Sequence, residues 1–106
     1  MFTINDVIWL LKFVAPDNDM LRRRDGSLAI GMCDNNLRTI FVNETLRGTK
    51  LKKVLSHELV HAAMFSYGIE ITLEQEEIVA DLIATYGEEI IKITNQLFYK
   101  LKNERR

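Results

Sequence analysis

VLSHELVHAA, residues 54–63, decides how this chain is read. It holds both histidines of the sequence, His57 and His61, four residues apart with Glu58 beside the first. Leu51, Val54, Leu55, Leu59 and Ala62 recur around them at helical spacing, and Gly68 follows as a C-terminal cap, so the segment is expected to be a helix. Two imidazoles at i and i+4 lie on one helix face about 6 Å apart along the axis, close enough to reach one ion. Apolar neighbours on both sides predict a largely buried helix, where unpaired imidazoles and a carboxylate would cost stability. A metal ion satisfies them, and zinc suits such nitrogens.

A catalytic zinc takes three protein ligands, and the chain has neither a third histidine nor a second cysteine. The third ligand must then be a carboxylate or Cys33. Downstream, Thr72 and Gln75 form a capping-box pattern that opens a helix, and EEIVADLIA follows. If residues 68–72 turn the chain back, His61 and Glu77 lie roughly 10 and 7 Å from the turn, and His57 and Asp81 roughly 16 and 13 Å. Glu77 is thus level with the second histidine. Asp81, one helical turn beyond and on the same face, is level with the first, where it can accept an imidazole N–H and orient the ring.

The remaining chain is read outward from this pair of helices. Ile78, Val79, Leu82, Ile83, Ile90, Ile91, Ile93, Leu97 and Leu101 carry the last helix almost to the end, with Gly87 as an interruption that can kink it. Upstream, SLAIGMC (27–33) and RTIFVN (38–43) alternate apolar residues and flank a turn at residues 34–37, so a β-hairpin is expected, with positive φ at Asn35–Asn36 and, at Gly31, either a close approach of another backbone or a bulge, the bulge being the safer reading. Residues 16–26 read as a polar connecting loop. At the N-terminus, Thr3 and Asp6 have capping-box spacing and Val7, Ile8, Leu10, Leu11 and Val14 follow, predicting a first helix over residues 5–15. The expected fold class is α+β: N-terminal helix, β-hairpin or small antiparallel sheet, motif helix, and long C-terminal helix.

Length and composition limit the alternatives. With 106 residues, 47% hydrophobic and 27% charged, the chain is expected to form a single domain, residues 1–106, with one core. Net charge is −1 and the pI is near 6.1, so no overall field draws it to nucleic acid. The basic clusters at Arg22–Arg24, Lys50–Lys53 and Lys100–Arg106 read as solvated loop, helix start and chain end. A single cysteine excludes an internal disulfide framework. The apolar N-terminal run FTINDVIWLLKFVA lacks the leader and cleavage site of a signal peptide and is too short and interrupted to span a bilayer, so a cytoplasmic location without membrane contact is expected.

VLSHELVHAA resembles the extended HExxH motif of zincin metallopeptidases, and EIVAD resembles the ExxxD element of their gluzincin branch. Across about residues 28–86 the chain is most similar to the small ImmA/IrrE-type metallopeptidases of bacteria and phages: GMCDNNLRTIFVN resembles their hairpin and EIVADLIA their third-ligand helix. The SprT-like group is similar over the same region. The resemblance implies a minimal zincin-like fold, Zn2+ held by His57, His61 and Glu77, Glu58 as general base and acid, and Asp81 supporting a histidine. It implies hydrolysis of a protein or peptide substrate through a metal-activated water. Family members commonly have longer chains or companion domains, whereas no helix-turn-helix module is visible here, and a regulatory partner is an open alternative. Related zincins also use a tyrosine or histidine on the oxyanion; no third histidine exists, Tyr86 falls opposite Glu77 by angular count, and Tyr67 is the remaining candidate. Glu70, Glu74 and Glu76 read as an acidic helix start, consistent with the helix dipole. A zinc-binding sensor or interaction domain without turnover is the alternative function.

Overall fold

The N-terminal segment is a pair of strands. In the computed structural model, which describes residues 1–104, β1 (Phe2–Ile4) and β2 (Val7–Val14) form an antiparallel hairpin in which Ile4 faces Val7. The two residues between them, Asn5 and Asp6, have φ of 49° and 63°. Such a two-residue turn with both φ positive matches the twist of the flanking strands, and Asn and Asp tolerate it. The helix predicted over residues 5–15 is therefore corrected: the Thr3/Asp6 spacing belongs to a hairpin, and VIWLLKFV, rich in β-branched and aromatic residues, is a strand. Its true period is two. Trp9 is fully buried and Val7 and Leu11 are half-buried against the core, while Ile8 and Leu10 are exposed on the other face.

β3 (Gly31–Asp34) and β4 (Thr39–Asn43) form the expected hairpin, with Gly31 opposite Val42 and Asp34 opposite Thr39. The positive φ lies at Arg38 (50°) and not at Asn35–Asn36. β4 also pairs in parallel with β2, Leu11 opposite Ile40 and Phe13 opposite Val42. The sheet order is β1-β2-β4-β3, a four-stranded mixed sheet in place of the small antiparallel one expected. Thr39, Ile40, Phe41 and Val42 are all buried, as suits a strand with neighbours on both sides.

Three helical segments follow: α1 (Gly48–Tyr67), α2 (Leu73–Leu82) and, after a π-helical turn at Ile83–Gly87, α3 (Glu88–Glu104). Gly68, at φ 63°, ends α1 with its N–H on the carbonyls of Met64 and Phe65. The Thr72–Gln75 capping box is formed in both directions, at 3.1 and 3.0 Å. α1 covers one face of the sheet, where Val54 and Ala62 join Trp9, Ile40, Val42 and Leu46 in the core. Trp9 Nε1–H donates to Ser66 Oγ at 2.8 Å, and Asn5 Nδ2–H donates to the Ser66 carbonyl at 3.0 Å, fastening the first hairpin to the end of α1. Gly87 marks the last residue of the π turn, and none of the residues of α3 is buried. No helix of the described residues is long and apolar enough to cross a membrane. Arg105 and Arg106 of the last basic cluster lie outside the described residues.

Candidate metal centre

The turn at residues 68–72 folds α2 back against α1, and both helices present their polar residues at the same levels. His57 and His61 stand one turn apart on α1, and their Nε2 atoms converge to 3.3 Å. Glu77 of α2 closes the third side: its Oε2 lies 3.1 Å from His57 Nε2 and its Oε1 2.9 Å from His61 Nε2. One ligand atom from each of the three residues lies within 4.8 Å of the others. The far nitrogen of each ring is also held from α2. Asp81 Oδ1 is 3.0 Å from His57 Nδ1, and Glu76 Oε1 is 2.5 Å from His61 Nδ1.

An Nδ1–H on each ring satisfies Asp81 and Glu76, which leaves both Nε2 atoms as acceptors facing each other and two carboxylate oxygens. Acceptors alone cannot satisfy one another. With an Nε2–H on one ring, that proton can instead donate to Glu77 or to the other Nε2. The convergent lone pairs can equally be shared by a divalent cation, and two imidazoles with one carboxylate are a donor set suited to zinc.

Glu76 was legible in the sequence only as part of an acidic helix start. In the fold it is buried to 9% relative exposure and oriented on His61. A helical count could have found it, because Glu76 is adjacent to Glu77 and carries the same level on α2 as His61 on α1. Tyr67, the candidate oxyanion donor, ends α1 with its side chain 59% exposed and is not among the residues lining the cavities beside the histidines. Tyr86 is also exposed. Arg23 lines both cavities, of about 360 and 430 Å3, and was read from the sequence only as a solvated loop cation. The loop holds it there: Leu21 is fully buried, Arg22 bridges to Leu28, and Arg23 Nη1–H donates to Ser27 Oγ at 3.3 Å.

Glu58 is buried beside His57 and faces the same cavities. Burial raises its carboxyl above the ordinary range, while the two imidazoles pull the other way. Gly31 explains how it fits. A Cβ at residue 31 would lie 2.7 Å from Val54 Cγ1 and 3.2 Å from Glu58 Oε2, so the absent side chain lets β3 cross α1 beside the carboxylate. Of the two readings of Gly31, the regular pairing with Val42 excludes the bulge, and the close approach is made by side chains of α1 instead of by another backbone. β3 is the last strand of the sheet, so its outer edge borders the cavity through Gly31, Met32 and Cys33. An extended peptide is expected from the sequence to pair along the hairpin with a strand such as residues 38–43, but that strand is paired on both sides. Compared with known protein families, curated proteins and solved structures, the chain matches none.

Proposed function

We propose that the chain is a zinc-dependent peptidase, with His57, His61 and Glu77 holding the metal and Glu58 moving the proton. The observation that carries this reading is the convergence of two Nε2 atoms and both Glu77 oxygens at 2.9–3.3 Å while each Nδ1 is already engaged by a carboxylate. Bound there, zinc supplies Lewis acidity toward a peptide carbonyl and makes water a stronger acid, bringing its pKa toward about 7.

Asp81 and Glu76 orient the two rings and raise their basicity toward a cation. Glu58, raised by burial and open to the cavity, takes a proton from the attacking water and returns it to the leaving amine. The peptide pairs with the free edge of β3, Gly31–Asp34, where backbone hydrogen bonds align an extended chain beside Glu58. Arg23, which lines both cavities, is the cation available to a carbonyl oxygen on which negative charge develops.

The test compares the parent chain with Glu58→Gln on an unfolded protein substrate with zinc added. The variant is expected to retain zinc by elemental analysis and to lose cleavage by a hundredfold or more, in the range of about 10^2–10^4 for a lost proton carrier. Equal cleavage by both chains would remove Glu58 from its role, and absence of cleavage by the zinc-loaded parent would favour a binding domain without turnover.

A further inference from the structure

We infer that α3 is a self-association helix that pairs antiparallel with α3 of a second copy of this chain. The inference does not depend on the metal reading. α3 leaves the body of the molecule after the π turn, and its 17 residues include none that is buried. Ile90, Ile93, Leu97 and Leu101 recur along one stripe and are each 45–55% exposed, with Phe98 beside them at 60%. The chain measures 57 × 30 × 27 Å and has 7897 Å2 of accessible surface. A compact monomer of 12.3 kDa exposes about 6,100 Å2. The excess, roughly 1,800 Å2, is more than the ~800 Å2 each partner contributes to a standard interface.

Charge placement selects both the partner and its direction. Acids stand at the start of α3, Glu88 and Glu89, and lysines near its end, Lys100 and Lys102. At about 100° per residue, Glu89 and Lys100 share one flank of the apolar stripe, while Glu88 falls on the opposite side of the helix. A two-fold axis perpendicular to the helices brings each flank against the same flank of the second copy, so Glu89 meets Lys100 of the second copy. The pair is centred between Thr94 and Asn95. The same axis sets Ile93 opposite Leu97 and Ile90 opposite Leu101. Parallel pairing would instead set acid against acid and lysine against lysine. Glu88 is already held by Lys52 of its own chain at 2.8 Å, so Glu89 with Lys100 is the reporting pair.

The body leaves room for this. A groove of about 1060 Å3 runs between α1 and the start of α3, lined by Lys52, Lys53, Ile83, Ile90 and Ile91.

Sedimentation equilibrium of the full chain tests the proposal, with folding of each variant checked by circular dichroism. The parent is expected to be a dimer in the micromolar range, and Leu97→Asp a folded monomer, weakened on the order of a hundredfold or more by an unpaired charge in the interface. Glu89→Lys and Lys100→Glu are each expected to weaken the dimer on the order of fivefold, and their combination to restore it. A parent chain that stays monomeric throughout the micromolar range overturns the proposal. So does a combined variant no tighter than the single ones, and so does a monomer that instead sediments with vesicles of phosphatidylserine and phosphatidylcholine.

Discussion

Gly31 shows how one missing side chain places another. Because Val54 and Glu58 fill the space its Cβ would need, Gly31→Ala must push β3 or α1 aside. Chemical denaturation is expected to show a loss of about 1–3 kcal/mol, the usual cost of overpacking, with no change at an exposed control such as Gly26→Ala beyond its own backbone strain. Two positions along the same strand, Cys33 is half-buried, and its thiol is pushed up to about 12 by burial and by the nearby Glu58 and Glu76 carboxylates. Against an ordinary 9.0 this leaves on the order of a thousandfold less thiolate at neutral pH. Alkylation by iodoacetamide at pH 8 is expected to be correspondingly slower in the folded chain than in denaturant. Linkage has a fixed sign here: the raised pKa adds stability that is intact below pH 9 and declines as pH rises toward 12. Equal alkylation rates in both states would contradict the environment described for this residue.

At the scale of elements, the first hairpin and the two site helices obey different controls. The turn between β1 and β2 needs positive φ at two successive residues, and Asp6 meets that need at 63° with a Cβ that disfavours it. Asp6→Gly is expected to stabilise the chain by a few tenths to about 1 kcal/mol, seen as a higher denaturation midpoint with an unchanged slope. A fall in stability would mean that the Asp6 side chain contributes more than its backbone costs. On α2, Asp81 and Glu76 act through the rings they hold. Asp81→Asn and Glu76→Gln are each expected to weaken zinc binding about 10–100-fold in a competition titration with a chromogenic chelator, while leaving His57, His61 and Glu77 in place. Unchanged affinity in both would assign these carboxylates to helix packing alone.

Across the whole molecule, the cluster joins α1 to α2, so a cation bound there would couple to folding. The converging acceptors repel one another when nothing lies between them, and a cation bound only by the folded chain stabilises it by mass action. At a free zinc concentration a hundred times Kd the gain is about 2.7 kcal/mol. For a chain of this length that corresponds to a melting temperature raised on the order of 10 °C, and a chelator should reverse it. His57→Ala is expected to abolish the response; a response that persists in this variant would move the cation elsewhere.

The sequence alone determined the two site helices and their relative level. The i, i+4 histidines, the Gly68 stop and the Thr72–Gln75 cap are local features, and with a turn of known length they place His57 against Asp81 and His61 against Glu77 by rise per residue alone. The hairpin at residues 31–43 was legible for the same reason, through its alternating apolar residues. Tertiary structure decided the rest. VIWLLKFV is apolar at almost every position, so its period is ambiguous, and only pairing with β1 and β4 and the seat of Trp9 against Ser66 make it a strand. Glu76 looks like a solvated acid until α1 covers it, and Arg23 like a loop cation until the burial of Leu21 draws its loop over the cavity. Local pattern reports what a segment can form; which side chains meet is set by distant segments that compete to cover the same surface.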